Sequence, residues 1–158
     1  MKIKGVTDED FINYRKPSMF IVTSFCDYKC NKESGEDCCQ NSVLAHAPVM
    51  TIDDDILVQR YLNNTITRSI VFGGLEPMVQ IGEICLFLER FRSVYQCSDD
   101  VVLYTGFNKD EVIDDIRKLI PYGNIIVKFG RFIPHQKPHY DDVLGVYLAS
   151  DNQYAERI

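Results

Sequence analysis

Two apolar runs, each ending in chemically distinctive residues, constrain this chain more than anything else in it. Met19-Phe20-Ile21-Val22-Thr23-Ser24-Phe25 reads as a buried strand that delivers Cys26-Asp-Tyr-Lys-Cys30 at its carboxyl end, with Cys38-Cys39 following shortly. Ser69-Ile70-Val71-Phe72 reads as a second such strand and delivers Gly73-Gly74-Leu75-Glu76-Pro77. Thiols at the end of one strand and a glycine turn at the end of the next are expected to converge on the carboxyl edge of a parallel sheet. Open α/β folds bind their ligands at that edge. Soft sulfur donors beside a backbone-lined pocket suggest an iron–sulfur centre with an organic cosubstrate.

Strand and helix signals alternate along the rest of the chain, which argues for a parallel α/β layout. Asp53 to Asn63 reads as a helix with Ile52, Ile56, Leu57 and Tyr61 on its apolar stripe, and Asp53-Asp54-Asp55 favours its positive N-terminus. Val79 to Tyr95 places Ile81, Ile84, Cys85, Leu88, Phe91 and Tyr95 on one face, the clearest amphipathic pattern in the chain. Val101–Tyr104 is a third strand, ending at Thr105-Gly106. Asn108 with Glu111 resembles a capping box opening a helix that carries Val112, Ile113, Ile116 and Leu119, and Pro121-Tyr122-Gly123 stops it. Asn124–Phe129 is a fourth strand, Gly145–Ala149 a fifth, and Ile133–Tyr140, with its prolines, a loop. Five parallel strands with helices outside predict an open sheet or a partial (βα) barrel in a single domain over residues 1–158. The chain is too short for a closed barrel of ~250 residues. An open barrel leaves a lateral mouth suited to a macromolecular substrate.

A net charge of -6 offers no basic stripe and argues against nucleic acid or a polyphosphate partner. No apolar stretch approaches the ~20 residues needed to span a bilayer, and Met1-Lys2-Ile3-Lys4 does not lead into an apolar signal segment. A cytoplasmic location without a membrane partner is therefore expected. In such a reducing compartment the six cysteines are ligands or core fillers rather than disulfides.

In order along nearly the whole chain stand Cys26-x3-Cys30, Cys39-Gln-Asn41, Gly73-Gly74-x-Glu76-Pro77, Tyr104-Thr105-Gly106-Phe107, Lys128-Phe129-Gly130-Arg131-Phe132 and Leu148-Ala149-Ser150-Asp151-Asn152-Gln153. Jointly these resemble the radical S-adenosylmethionine (SAM) enzymes, and most closely the small activating proteins of anaerobic ribonucleoside-triphosphate reductase. The cysteine spacing departs from that family's Cys-x3-Cys-x2-Cys pattern. Asn31–Asp37 stretches the second gap, and Cys38 stands where an aromatic residue is usual. Asn41, two residues after Cys39, fits the residue that follows the third ligand. The resemblance thus implies Cys26, Cys30 and Cys39 as ligands of a [4Fe–4S] cluster, with Cys38 a neighbouring thiol or a competing ligand.

The resemblance further implies that SAM chelates the iron left without a protein ligand, and that Gly73, Gly74 and Glu76 receive its methionyl amine. Leu75 is an insertion relative to the family's Gly-Gly-Glu-Pro. Thr105 either ends a strand or joins the cosubstrate site with Asn41. Lys128 and Arg131 hold the SAM carboxylate or face a partner. The implied activity is reductive SAM cleavage by an oxidoreductase that installs a glycyl radical on a large reductase subunit, with an electron donor such as flavodoxin. Two alternatives stand beside it: a radical-SAM enzyme with another substrate, and a non-catalytic metal-binding adaptor. A structural zinc site would want four closed ligands and would leave the Gly-Gly-x-Glu-Pro segment without a role. His135-x3-His139 reads as a surface loop, Cys85 as packing, and Cys97 as a loop thiol.

Overall fold

A computed structural model describes residues 1–158. Its elements are strands β1 (Lys2–Asp10), β2 (Ser18–Thr23), β3 (Met50–Thr51), β4 (Ser69–Gly73), β5 (Asp100–Tyr104), β6 (Ile125–Phe129), β7 (His139–Asp141), β8 (Val146–Leu148) and β9 (Tyr154–Arg157). The helices are α1 (Lys29–Ser34), α2 (Ser42–His46), α3 (Asp54–Asn63), α4 (Ile81–Glu89) and α5 (Ile113–Leu119). The fold is α/β, with a mixed seven-stranded sheet in the order β3-β1-β2-β4-β5-β6-β9.

The parallel block is β2-β4-β5-β6, in a register that sets Phe20 beside Val71, Val71 beside Val102 and Val102 beside Ile126. These strands are continuous apolar runs because both faces are covered. Ile70 and Phe72 point into the larger core with Leu57, Val58, Tyr61, Ile84, Phe87 and Leu88 of α3 and α4. Val71, Val102 and Ile126 point the other way, toward Tyr14, Leu144 and Leu148.

The expectation of about five parallel strands is corrected in two ways. Gly145–Ala149 does not enter the main sheet: Val146–Leu148 pairs antiparallel with His139–Asp141 in a separate two-stranded sheet. Its apolar residues cover the second face instead of extending the first sheet. Three strands absent from the sequence reading flank the parallel block, with β1 antiparallel to β2, β3 to β1 and β9 to β6. Local signals fare better. Asp53 caps α3 through a hydrogen bond from the Asp55 N–H (2.8 Å), and Glu111 Oε2 accepts the Asn108 N–H (2.8 Å). Within α3 the buried stripe is Leu57, Val58 and Tyr61, while Ile56 is exposed.

Candidate metal centre

The thiol segment leaves β2 at Thr23, two residues earlier than the apolar run suggests, and side chains fix its exit. Gln80 Oε1 accepts from both the Ser24 N–H (2.7 Å) and hydroxyl (2.8 Å), and Gln80 Nε2 donates to the Lys2 carbonyl (3.0 Å). Beyond that point the Glu76 N–H donates to the Phe25 carbonyl at 2.8 Å, so the cysteine and glycine segments are tied backbone to backbone. From Ser24 to Ile56 no residue is buried.

The tie brings both segments to one cavity of about 490 Å³ on the face opposite α3, α4 and α5, at the carboxyl ends of the parallel strands. Cys26, Cys30 and Cys39 line it, as do Asn41, Gly74, Glu76, Thr105 and Lys128. Cys38 is absent from the lining: its sulfur is 3.2 Å from Ser34 Oγ and 3.6 Å from Asn31 Oδ1, within its own loop. Gly73 is also absent and lies buried within β4. A Cβ there would stand 3.2 Å from Tyr104 Cβ and 3.3 Å from Phe20 Cζ, so its missing side chain serves strand packing. Gly74 has φ +75°, and an added Cβ would meet Val22 Cγ1 at 2.9 Å and Leu44 Cδ1 at 3.2 Å. Only glycine makes this turn under α2 without strain.

Burial pushes the Cys26 thiol up, with Glu76, Asp27 and Cys39 adding to the effect despite a hydrogen bond from the Tyr28 N–H. Cys30 is pushed up to about 11, by burial first and then by Cys39 and Cys38. Thiolates here would repel one another, so their ligating form needs a nearby positive charge. Clustered iron is such a charge. No group of three or more His, Cys, Asp or Glu side chains that could hold a metal ion is assembled in this structure. A [4Fe–4S] cube takes one thiolate per iron, so three thiols lining one cavity supply the kind of donor it needs.

Glu76 is a buried junction. Its Oε1 accepts from the Met78 N–H (3.0 Å) and the Thr105 hydroxyl (2.6 Å), and Oε2 accepts from the Gly106 N–H (2.8 Å). Three of roughly four acceptor positions are thus filled, leaving one on Oε2 for a donor in the cavity. Burial raises the carboxyl above its usual range against these hydrogen bonds. Lys128, opposite Tyr104 in the β5–β6 pairing, donates to the Gly130 carbonyl at 2.7 Å and keeps further N–H groups. Burial lowers its ammonium to about 7, against the pull of Glu76.

Residues 17–153 match a family model described as a 4Fe-4S single cluster domain. The chain belongs to that family. No curated protein and no solved structure matches it. Membership supports an iron–sulfur cofactor, and Cys26, Cys30 and Cys39 are the cysteines that line the cavity.

Sequence reasoning assigned no role to several residues that shape the site. Asp27, Leu44, Phe107 and Tyr147 line the cavity, and Lys29 and Glu111 form an ion pair beside it (2.7 Å). Lys29 and Glu111 are 82 residues apart and carry no local signal of their pairing. His135 Nε2 stands 3.5 Å from a Glu36 carboxylate oxygen on the surface, in keeping with a loop histidine. Cys85 packs against the larger core from a half-buried position, as expected of a helix-stripe thiol. No helix is long and apolar enough to cross a membrane.

Proposed function

We propose that this chain is a radical-SAM activase that installs a glycyl radical on a large anaerobic ribonucleotide reductase subunit. The observation that carries the reading is the convergence of Cys26, Cys30 and Cys39 with Asn41, Gly74, Glu76, Thr105 and Lys128 around one cavity. Cys26, Cys30 and Cys39 would hold a [4Fe–4S] cluster there, and that group would supply the one-electron reduction that SAM cleavage requires.

The protein's own part is positional and electrostatic. The three thiolates would anchor the cluster, while the left-handed turn at Gly74 carries the chain past Val22 and Leu44 to Glu76 at the cavity wall. The remaining acceptor on Glu76 Oε2 receives an N–H of the methionyl amine, and Lys128 donates to the methionyl carboxylate. Thr105 keeps the Glu76 carboxylate aimed, and the Thr105 N–H donates to the Lys128 carbonyl (2.9 Å), coupling the two groups through the strand ends. Cys39 rather than Cys38 is the third ligand in this reading, because Cys38 turns toward Ser34 and Asn31. The partial barrel of the radical-SAM family belongs to the same reading, with helices on one face of the sheet and the cavity on the other.

The test is anaerobic reconstitution with iron and sulfide, followed by measurement of reductant-dependent 5′-deoxyadenosine release. Release that rises with a glycyl-radical reductase, together with a glycyl radical signal, supports the activase. Release indifferent to that partner favours a radical-SAM enzyme with another substrate. A cluster without release sinks the enzymatic reading and leaves an adaptor.

A further inference from the structure

The thiol loop has no core of its own. Helix α1 buries nothing, and no side chain from Ser24 to Ile56 is buried, yet this segment must hold three sulfurs in register. Lys4 reaches the Ala45 and Ala47 carbonyls near the far end of the segment, and ion pairs fasten the part that carries the first thiols. Lys29, inside the Cys26–Cys30 spacing, reaches Glu111 Oε1 at 2.7 Å. Arg131 meets the same carboxylate through both terminal nitrogens, at 2.7 and 2.8 Å. Its Nε is buried without a hydrogen-bond partner, 3.3 Å from the Glu33 carboxylate in the stretched part of the loop. Lys29 and Arg131 both stack near the Phe107 ring, at 5.2 and 5.4 Å from its centroid.

Glu111 therefore stands between a cation on the loop and a cation at the end of β6, and Arg131 returns from β6 to the loop at Glu33. The Arg131 side chain is only 8% exposed, so this part of the circuit is shielded from salt far better than a surface pair. We propose that Glu111 is a positioning residue: through Lys29 and the Arg131–Glu33 arm it clasps the thiol loop onto the sheet and so holds the cluster ligands in place. The cluster half of this inference rests on the assignment of Cys26, Cys30 and Cys39; the clasp itself does not.

Two measurements separate the parts. In the apoprotein, tryptic cleavage at the exposed Lys32 reports loop opening directly. Glu111→Gln is expected to speed that cleavage about tenfold, the equivalent of about 1.4 kcal/mol. Lys29→Gln and Glu33→Gln should speed it less, and Lys29→Gln should add little in the Glu111→Gln background. In the reconstituted protein, iron release to excess ferrous chelator should follow the same ranking. Asp100→Asn, which loosens an ionic junction at the other end of the sheet, is the control and should alter neither rate.

Equal cleavage in wild type and Glu111→Gln overturns the clasp, as does an Asp100→Asn chain cleaved as fast as Glu111→Gln. Contrasting cleavage with identical iron release overturns the positioning role. A wild type that takes up no cluster while the cleavage contrast holds overturns the thiol assignment and leaves the clasp standing.

Discussion

Asp100 and Glu111 lie at opposite ends of the same strand region, and each gathers two cations, but they do different work. Asp100, at the amino end of β5, accepts from Tyr14 (2.9 Å), Lys16 (2.6 Å) and Arg157 (2.7 Å). Those partners come from the β1–β2 connection and from β9, so this carboxylate joins distant parts of the sheet over a buried floor. Glu111, beyond the carboxyl end of β5, is itself solvent-exposed and joins the sheet to a loop that buries nothing. The amino end is closed by ions added to a core; the carboxyl end is closed by ions in place of one. A ligand site needs space and donors at its own edge, and apolar packing there would fill both.

The largest expected effect falls at the carboxyl end alone. Replacing Cys26, Cys30 or Cys39 singly by Ala should abolish stable cluster binding, because a cube held by two protein thiolates loses anchorage and charge balance. Cys38→Ala should keep the cluster, and Cys85→Ala should keep it at a cost of about 1–2 kcal/mol in packing. Visible absorbance of the five reconstituted variants checks this. A robust cluster in Cys39→Ala with none in Cys38→Ala would make Cys38 the ligand.

Gly74→Ala probes where the two regions meet. The added methyl strikes Val22 and Leu44 at a left-handed position, so a loss of about 2–3 kcal/mol is expected in denaturant unfolding. An unchanged midpoint would mean that α2 lifts freely away from the turn. Glu76→Ala should retain the cluster yet weaken SAM binding by roughly 1.5–3 kcal/mol, the scale of a hydrogen bond to a charged group. Titration of the reconstituted protein decides it, and unaltered affinity would leave Glu76 as a junction for Thr105 and Gly106 only.

The smallest effect is the acid limb of stability. Burial alone would raise the Asp100 carboxyl, but Arg157, Lys16 and Tyr14 outweigh it and hold it at about 2, against 3.8 ordinarily. A carboxyl depressed in the folded state stabilises fully above the unfolded value. That contribution drains as the pH falls from about 4 through about 2. Asp100→Asn should therefore lower stability by about 1–2 kcal/mol at neutral pH, allowing for screening, and by little near pH 2. Unfolding midpoints of both proteins across that range test the difference.

The legible and illegible parts of the chain divide along physical lines. β4, β5 and β6 announce themselves because Ile70, Val71, Phe72 and their neighbours are buried on both faces and leave unbroken apolar runs. β1 and β9 do not: Lys2–Asp10 buries only Ile3 and Asp10, and Tyr154–Arg157 only Ala155, so they read as polar segments. Val146–Leu148 misleads because a strand paired locally and a strand paired across the sheet look alike over three residues. Around the cavity, the thiols and Gly74 stood out in the sequence because few residue types share their chemistry, whereas Gly73, read with them, packs inside β4. The acceptors filled on Glu76 and the Lys29–Glu111–Arg131 circuit did not stand out, because such pairings depend on where the fold brings remote charges together.

Between Ser24 and the short strand β3 the chain is held by its ends, by the Lys29 and Arg131 ion pairs and by Lys4 at the Ala45 and Ala47 carbonyls, so the length of the thiol loop is only weakly fixed by the sheet. Doubling the length of a flexible loop costs only about 0.6 kcal/mol in closure entropy. Seven residues between Cys30 and Cys38 can therefore be carried at small thermodynamic expense, whereas one residue inserted into β4 would turn Ile70 and Phe72 out of the core. The spacing of the cysteines along the chain is thus a loose variable, and their spacing around the cavity is the tight one.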